Sequence, residues 1–345
     1  MELRSAVAPS RRWIPCRATI RAWLLYPSQG AAKPVSFGPY EAELAMDRAP
    51  AAQQIRLVAL SHGNGGTPWS HRGLATHLAR EGFAVLMIEH PGNNRHDNSL
   101  GSPTGRPKAI LLSHRPRHVV LAVNAALADS LVGAHLASDG YAMIGESIGA
   151  YTALAVAGGR AHCLPDDVDE AVLSRPMEEL AQVAVPVKTE RDPRLRSAVL
   201  FVPAIGFFGA DGALAEVSVP LLVRTAERDA LVPASQVAHT LRSLPDPSRV
   251  FSLDVPGAGH CSLHTPYPPA RSPGPARAGS SRLRSRGVPG GPQGQCHGLP
   301  ALDARDSPDY EIVVCWAGPG GASRSGSRRS SGKLATHPAV PPHRP

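Results

Sequence analysis

The sequence predicts a doubly wound α/β domain with a mostly parallel sheet and helices on both faces, and three observations carry that prediction. Between residues 18 and 260, apolar runs of strand length alternate with segments of helical period. The strand-like runs are continuously apolar, as a sheet covered on both faces requires, rather than alternating between polar and apolar residues. At 345 residues, 42% of them hydrophobic, the chain is long enough to bury a substantial core.

In chain order, residues 19–26 read as an N-terminal strand that adds an antiparallel edge. Leu57, Val58, Ala59 and Leu60 form a short strand running into a glycine-rich turn. Residues 69–82 follow as a helix, with Leu74 and Leu78 one turn apart and Gly82 as its stop. Residues 83–88 are a fully apolar strand. Residues 115–133 read as a longer helix, because Val119, Val123, Leu127 and Leu131 keep an unbroken i, i+4 row. Residues 141–145 make the next strand and 148–156 an apolar helix. Further strands are expected at 197–202 and 219–225, then a helix marked by Val237, Leu241 and Leu244, then a last strand at 250–255. Residues 159–196 break this alternation and carry an acidic cluster of Asp166, Asp167, Asp169 and Glu170. An insertion on the C-terminal side of parallel strands lies over the ligand crevice, which makes this segment a candidate lid.

Composition bounds the partners. Lys+Arg number 36 against 28 Asp+Glu, a formal net charge of +8, which taken whole points to nucleic acid or an anionic surface. Its location argues otherwise. Residues 266–345 hold 11 basic and 4 acidic residues, whereas the first 265 hold 25 and 24. That last stretch also holds 14 Pro and 12 Gly, with nine Leu, Ile or Val and no Phe. So little apolar surface cannot offset an ordering entropy of roughly 1–2 kcal/mol per residue. The expected organisation is an N-terminal extension at 1–17, an α/β domain at 18–268 and a disordered basic Pro/Gly/Arg-rich tail at 269–345. The tail's one strand-like run, residues 312–316, has no evident pairing partner in the sequence around it. Within residues 266–345, Tyr267, Tyr310 and Trp316 are the only aromatics, so stacking platforms for specific nucleic-acid binding are scarce. Five widely spaced cysteines without a CxxC pair argue against a disulfide framework and against a zinc site. No apolar stretch reaches membrane-spanning length and no secretory signal is visible, so a cytoplasmic protein is expected.

Chemistry concentrates at four places. Gly145-Glu146-Ser147-Ile148-Gly149 is a G-x-S-x-G motif between an apolar strand and an apolar helix. A tight strand-to-helix turn there exposes a serine hydroxyl at the sheet's edge, and the backbone N–H of Ile148 faces the position of an oxyanion. His62-Gly63-Asn64-Gly65-Gly66 follows an earlier strand, and a backbone N–H of this loop, that of Asn64, would complete an oxyanion hole. His62 is read as a brace for the loop rather than a base. A serine nucleophile needs a base and a group to orient it. Asp229 and His260 each lie just past an apolar strand, and strand ends of a parallel sheet share one edge. Glu227 is the nearest rival acid, Asp211 a distant one, and His264 the fallback base. Glu146 adds a negative charge beside the serine, in a solvated or hydrogen-bonded role.

With these residues in view, the chain resembles the α/β-hydrolase fold. More narrowly, it resembles the bacterial dienelactone-hydrolase-like and platelet-activating-factor-acetylhydrolase-like serine esterases. The resemblance spans about residues 18–268 and is carried by Leu25-Tyr26-Pro27, Phe37-Gly38-Pro39-Tyr40, Ser61 to Gly66, Glu89-His90-Pro91-Gly92, the Ser147 turn, Arg228-Asp229 and Gly257 to His260. It implies hydrolysis of small carboxylic esters through an acyl-enzyme, without metal or cofactor. Ser147 would attack, His260 shuttle the proton and Asp229 orient His260, with Asn64 and Ile148 donating to the oxyanion. The chain departs from the pattern in three ways. Dienelactone hydrolases use a cysteine where Ser147 stands. The acetylhydrolases place their acid one strand earlier, where residues 201–205 hold no carboxylate. Relatives also close with an amphipathic helix where this chain turns into its basic tail. The alternative is a catalytically impaired scaffold whose basic tail binds anionic partners without specificity.

Overall fold

The computed structural model of the chain describes residues 18–102, 104–165, 175, 177–267 and 310–318. The N-terminal extension, the acidic cluster at 166–170 and the remainder of the basic tail lie outside them. In chain order the strands are β1 (Ala18–Leu25), β2 (Lys33–Phe37), β3 (Tyr40–Met46), β4 (Ile55–Ser61), β5 (Ala84–Glu89), β6 (Leu136–Glu146), β7 (His162–Cys163), β8 (Val185–Pro186), β9 (Leu195–Phe201), β10 (Leu221–Ala226), β11 (Val250–Val255) and β12 (Tyr310–Gly318). The helices are α1 (Arg72–Arg80), α2 (Gly105–Leu127), α3 (Ile148–Val156), α4 (Met177–Val183) and α5 (Ala234–Leu241).

Ten strands form one sheet in the order β11-β10-β9-β6-β4-β5-β1-β12-β3-β2. From β11 to β5 every neighbouring pair is parallel. The continuous apolar runs are explained by burial on both faces. In β5, Ala84, Leu86 and Ile88 join the core under α2 and α3, while Val85 and Met87 pack with Trp69, Ala75 and Ala79 on the other face. The order reverses at β4, so the C-terminal ends of β4, β6, β10 and β11 open onto one edge, at a topological switch point. The described part of 159–196 contributes α4 and the small β7–β8 ladder.

Besides adding β2 and β3, which the sequence reading did not expect, the structure differs from it in three places that matter to the architecture. The N-terminal strand β1 is antiparallel to β5 as expected but is not an edge, because β12, β3 and β2 continue the sheet beyond it. The second concerns the run at 312–316, expected to be unpaired. It lies within β12, which runs parallel to β1 from Ala18↔Tyr310 to Leu25↔Ala317 and touches β3 at Ala317↔Met46. Its partner is distant in sequence, and local inspection could not find it.

The third difference is α2, which starts ten residues before the expected 115 and ends at Leu127, leaving Leu131 outside. Pro116 stands inside it, where a proline is ordinarily disfavoured. Mid-helix, Pro116 lacks the N–H that would bond the carbonyl four residues back. The Tyr151 hydroxyl donates to that carbonyl, Leu112 O, at 2.9 Å and replaces the missing bond.

Adjacent residues of a strand direct their N–H groups to opposite sides, so one of Val313→Pro and Val314→Pro removes a bond from β12 to β1. That variant is expected to lose about 1–3 kcal/mol in urea unfolding. Unchanged unfolding midpoints in both variants would contradict the placement of β12.

Candidate active site

The strand-to-helix turn forces Ser147 into the left-handed region, with φ 54° and ψ −117°. Such a conformation costs on the order of 1–3 kcal/mol and persists only where its surroundings over-determine it. Those surroundings are visible. A Cβ at Gly145 would fall on the Gly149 carbonyl, and one at Gly149 on the Ser61 carbonyl, so both glycines are required for the approach. The Ser147 N–H donates to Phe201 O at 2.9 Å, and the Ala204 N–H donates to Ser147 O at 3.1 Å. These bonds tie the turn to the end of β9, where Val202 is itself at φ 41°.

Asp229 and His260 reach Ser147 from the ends of β10 and β11. His260 Nδ1 lies 2.7 Å from Asp229 Oδ2, and His260 Nε2 lies 3.1 Å from Ser147 Oγ. The buried Asp229 accepts on Oδ1 from the N–H groups of Leu231 at 2.9 Å and Val232 at 3.0 Å. A carboxylate facing Nδ1 fixes the tautomer: Nδ1 donates to Asp229, and Nε2 keeps its lone pair toward the serine O–H. The rivals sit elsewhere. Glu227 Oε2 accepts from the Gly257 N–H at 2.5 Å and braces the histidine loop. His264 Nδ1 lies 2.8 Å from the Tyr267 hydroxyl, and Asp211 is exposed.

The glycine loop is anchored from behind. Asn64 is exposed at its tip, and its side-chain oxygen accepts from Asn93 Nδ2 at 2.7 Å. His62 is fully buried; its Nδ1 contacts Gly63 O at 2.8 Å while its Nε2 accepts from the His90 N–H at 3.4 Å. It braces the loop and is not poised as a base. Under the loop lies Arg115, which sequence reasoning missed. It is 1% exposed and donates to Thr152 Oγ1 and Ser61 Oγ, both at 3.0 Å, to Asn93 Oδ1 at 2.6 Å, and to the His62 carbonyl. Because Ser61 Oγ accepts from Arg115, its own proton goes to His90 Nε2 at 2.9 Å, and His90 Nδ1 pairs with His118 Nδ1 at 3.2 Å. A signal existed: the row Val119, Val123, Leu127, extended back one turn, lands on Arg115.

Glu146 is not solvated; it is 4% exposed. Its carboxylate lies 3.4 Å from His264 Nε2, 3.8 Å from His71 Nε2 and 3.9 Å from His260 Nε2. Burial alone would raise its pKa, but the His264 and His71 imidazoles outweigh burial and hold the acid below the ordinary carboxylate range. Gly63 has no side chain where a Cβ would fall on that carboxylate.

Beside the serine turn, an apolar cavity of about 270 Å³ opens between the insertion and the loops after β9 and β10. Leu164, Leu180, Ala204, Phe207, Leu231 and Val232 are among its walls. Ala204 also holds the Ser147 carbonyl, and Val232 the Asp229 carboxylate, so the cavity adjoins the polar cluster. Cys163 and Cys261 are free thiols, and no helix among the described residues is long and apolar enough to cross a membrane.

A family model of the alpha/beta hydrolase fold matches residues 56–201, a stretch that holds the glycine loop and the serine turn but ends before Asp229 and His260. Among solved structures, the chain is similar to a dienelactone hydrolase from Anabaena variabilis ATCC 29413, at 18% identity over 68% of this chain and 89% of that one, with a TM-score of 0.37. It is also similar to an alpha-beta serine hydrolase homologue from Coxiella burnetii, at 18% identity over 69% of this chain and 94% of that one, with a TM-score of 0.39. No curated protein matches the chain.

The buried imidazoles make stability depend on pH. Burial pushes His62 down to about 3, and Arg115's charge acts in the same direction. Burial, again joined by Arg115, also holds His90 well below its ordinary value; for His118, burial comes first and His114 next. Between the folded and unfolded pKa values, the unfolded chain takes up protons that the native state refuses. Stability from these groups is complete above about pH 6.5 and falls on acidification, by up to about 1.4 kcal/mol per pH unit for each. Urea unfolding at pH 7.5, 6 and 5 is expected to show progressively lower midpoints. A flat series would contradict neutral burial of these histidines.

Proposed function

From the alpha/beta-hydrolase fold that this chain carries, we propose that it is a serine hydrolase of small carboxylic esters, acting through an acyl-enzyme. The observation that carries the reading is the relay Asp229–His260–Ser147, at 2.7 Å and 3.1 Å, ending on a serine held in strained backbone. His260 Nε2 takes the serine proton as Oγ attacks the ester carbonyl. The oxyanion is met by the backbone N–H groups of Ile148, at the start of α3, and Asn64, at the tip of the glycine loop. Each such donor contributes roughly 3–4 kcal/mol to the transition state. His260 then hands its proton to the departing alkoxide. A water activated by the same imidazole releases the acid and restores Ser147. Asp229 keeps Nδ1 protonated throughout and stabilises the imidazolium as it forms.

The neighbouring apolar cavity supports an ester with one apolar arm, since its walls offer contact area and few polar partners. The Arg115 network supports a preorganised oxyanion loop, because one guanidinium ties Ser61 and the His62 carbonyl at its base to Asn93 and to Thr152 on α3.

Folded protein, checked by circular dichroism, is expected to hydrolyse a short-chain p-nitrophenyl ester. Ser147→Ala and Asp229→Asn should each lower turnover by about 10⁴-fold. Glu227→Gln keeps an acceptor for the Gly257 N–H and should retain most of the activity. Equal activity in Ser147→Ala would overturn the assignment, and loss in Glu227→Gln without loss in Asp229→Asn would move the acid. A folded wild type inert toward an ester panel would favour the impaired-scaffold alternative.

A further inference from the structure

Beside the serine, His71, Glu146 and His264 converge in a way that proton relay does not require. Their ligand atoms all lie within 4.8 Å of one another. Glu146 Oε2 is 3.8 Å from His71 Nε2 and 3.4 Å from His264 Nε2, and the two rings stand nearly perpendicular, at 87°. Three ligands of a tetrahedral zinc ion at about 2.0–2.1 Å are roughly 3.4 Å apart, so these spacings are close to a coordination edge.

The two imidazoles are also short of partners. His71 is 1% exposed, yet neither of its ring nitrogens makes a well-aligned hydrogen bond among the described residues, nor does His264 Nε2, and the Glu146 carboxylate lies beside both rings at ion-pair distance. Buried nitrogens of this kind cost free energy unless something satisfies them. His264 is oriented for ligation. Its Nδ1 pairs with the Tyr267 hydroxyl at 2.8 Å, and an Nδ1–H donated there leaves the Nε2 lone pair toward Glu146, as an outer partner does for a metal-bound histidine. The segments bearing the histidines are already fastened together. The Thr265 N–H donates to Ser70 O at 2.8 Å, the Gly73 N–H to Thr265 Oγ1 at 2.9 Å, and Arg72 Nη2 to Pro266 O at 2.6 Å.

We propose that His71, Glu146 and His264 form a binding site for a borderline first-row dication, Zn²⁺ in the first instance. The donor set of two imidazoles and a carboxylate suits that ion and leaves a fourth position for water or a ligand. The ion clamps the segment after the histidine loop to the turn before α1 and to the serine turn. Widely separated in sequence, the three residues fall outside any ligand-spacing rule, and the cysteine pattern has no bearing on them. The site stands on its own geometry and does not depend on the esterase reading.

The test uses the untagged full chain, stripped with chelator, and titrates Zn²⁺ by calorimetry and Co²⁺ by visible absorption. The expected result is one equivalent bound, with the intense bands of four-coordinate cobalt and a Zn²⁺-dependent rise in melting temperature. His264→Gln should weaken binding by about 100-fold or more, and Tyr267→Phe, which removes only the outer partner, by about 10-fold. Both residues lie on the partly exposed C-terminal segment, so these variants keep the test usable if His71→Asn or Glu146→Gln fails to fold. No binding at one equivalent, or binding and thermal shift undiminished in both His264→Gln and Tyr267→Phe, would overturn the proposal. Because none of these readouts is catalytic, an inactive esterase and an absent metal site give different results.

Discussion

Ser147 can remain at φ 54° only because the backbone around it is held from three directions, and much of the structure follows from that requirement. The missing side chain at Gly149 lets the Ser61 carbonyl reach the start of α3, which brings the glycine loop beside the serine. The end of β9 supplies an acceptor for the Ser147 N–H and a donor to its carbonyl. The register that pairs Glu146 with Phe201 and Ser61 with Gly145 puts all three chain segments at the same height on the sheet edge. Without that register the strained conformation would relax, and the hydroxyl would leave the imidazole at β11's end.

A second constraint lies just beneath. Arg115 is buried and charged, and burial pulls its pKa down to about 9 against the charge of Glu146, which acts the other way. A buried charge is tolerated only when its donors are satisfied, and here the acceptors are Ser61 and the His62 carbonyl at the base of the glycine loop, Asn93 after β5 and Thr152 on α3. The same burial that makes these acceptors necessary is the first cause of the low pKa values of His62, His90 and His118, with the charge of Arg115 adding to it.

The legible part of the sequence was the part written in local pattern. The continuous apolar runs of β4 and β5 are buried on both faces, so period alone identified a covered sheet. Ser147, Asp229 and His260 stood at strand ends, and a parallel sheet gathers strand ends at one edge. What was hidden depends on distant partners. The first turns of α2 could be continuous through Pro116 only with the hydroxyl of Tyr151, on another helix, bonding the carbonyl that the proline leaves free. The strand at 310–318 has its partner at the chain's opposite end. His71 and His264 meet Glu146 only after the chain following β11 folds back onto the turn before α1.

Covalent labelling with a fluorophosphonate, followed by peptide mass mapping, reads the reactivity of the serine directly and needs no knowledge of the substrate. A nucleophile activated by the Asp229–His260 pair should give one phosphonyl adduct per folded chain, on Ser147, and none after heat denaturation. Absence of an adduct on the folded chain, or an adduct on a different serine, would contradict the assignment of Ser147 as the reacting group.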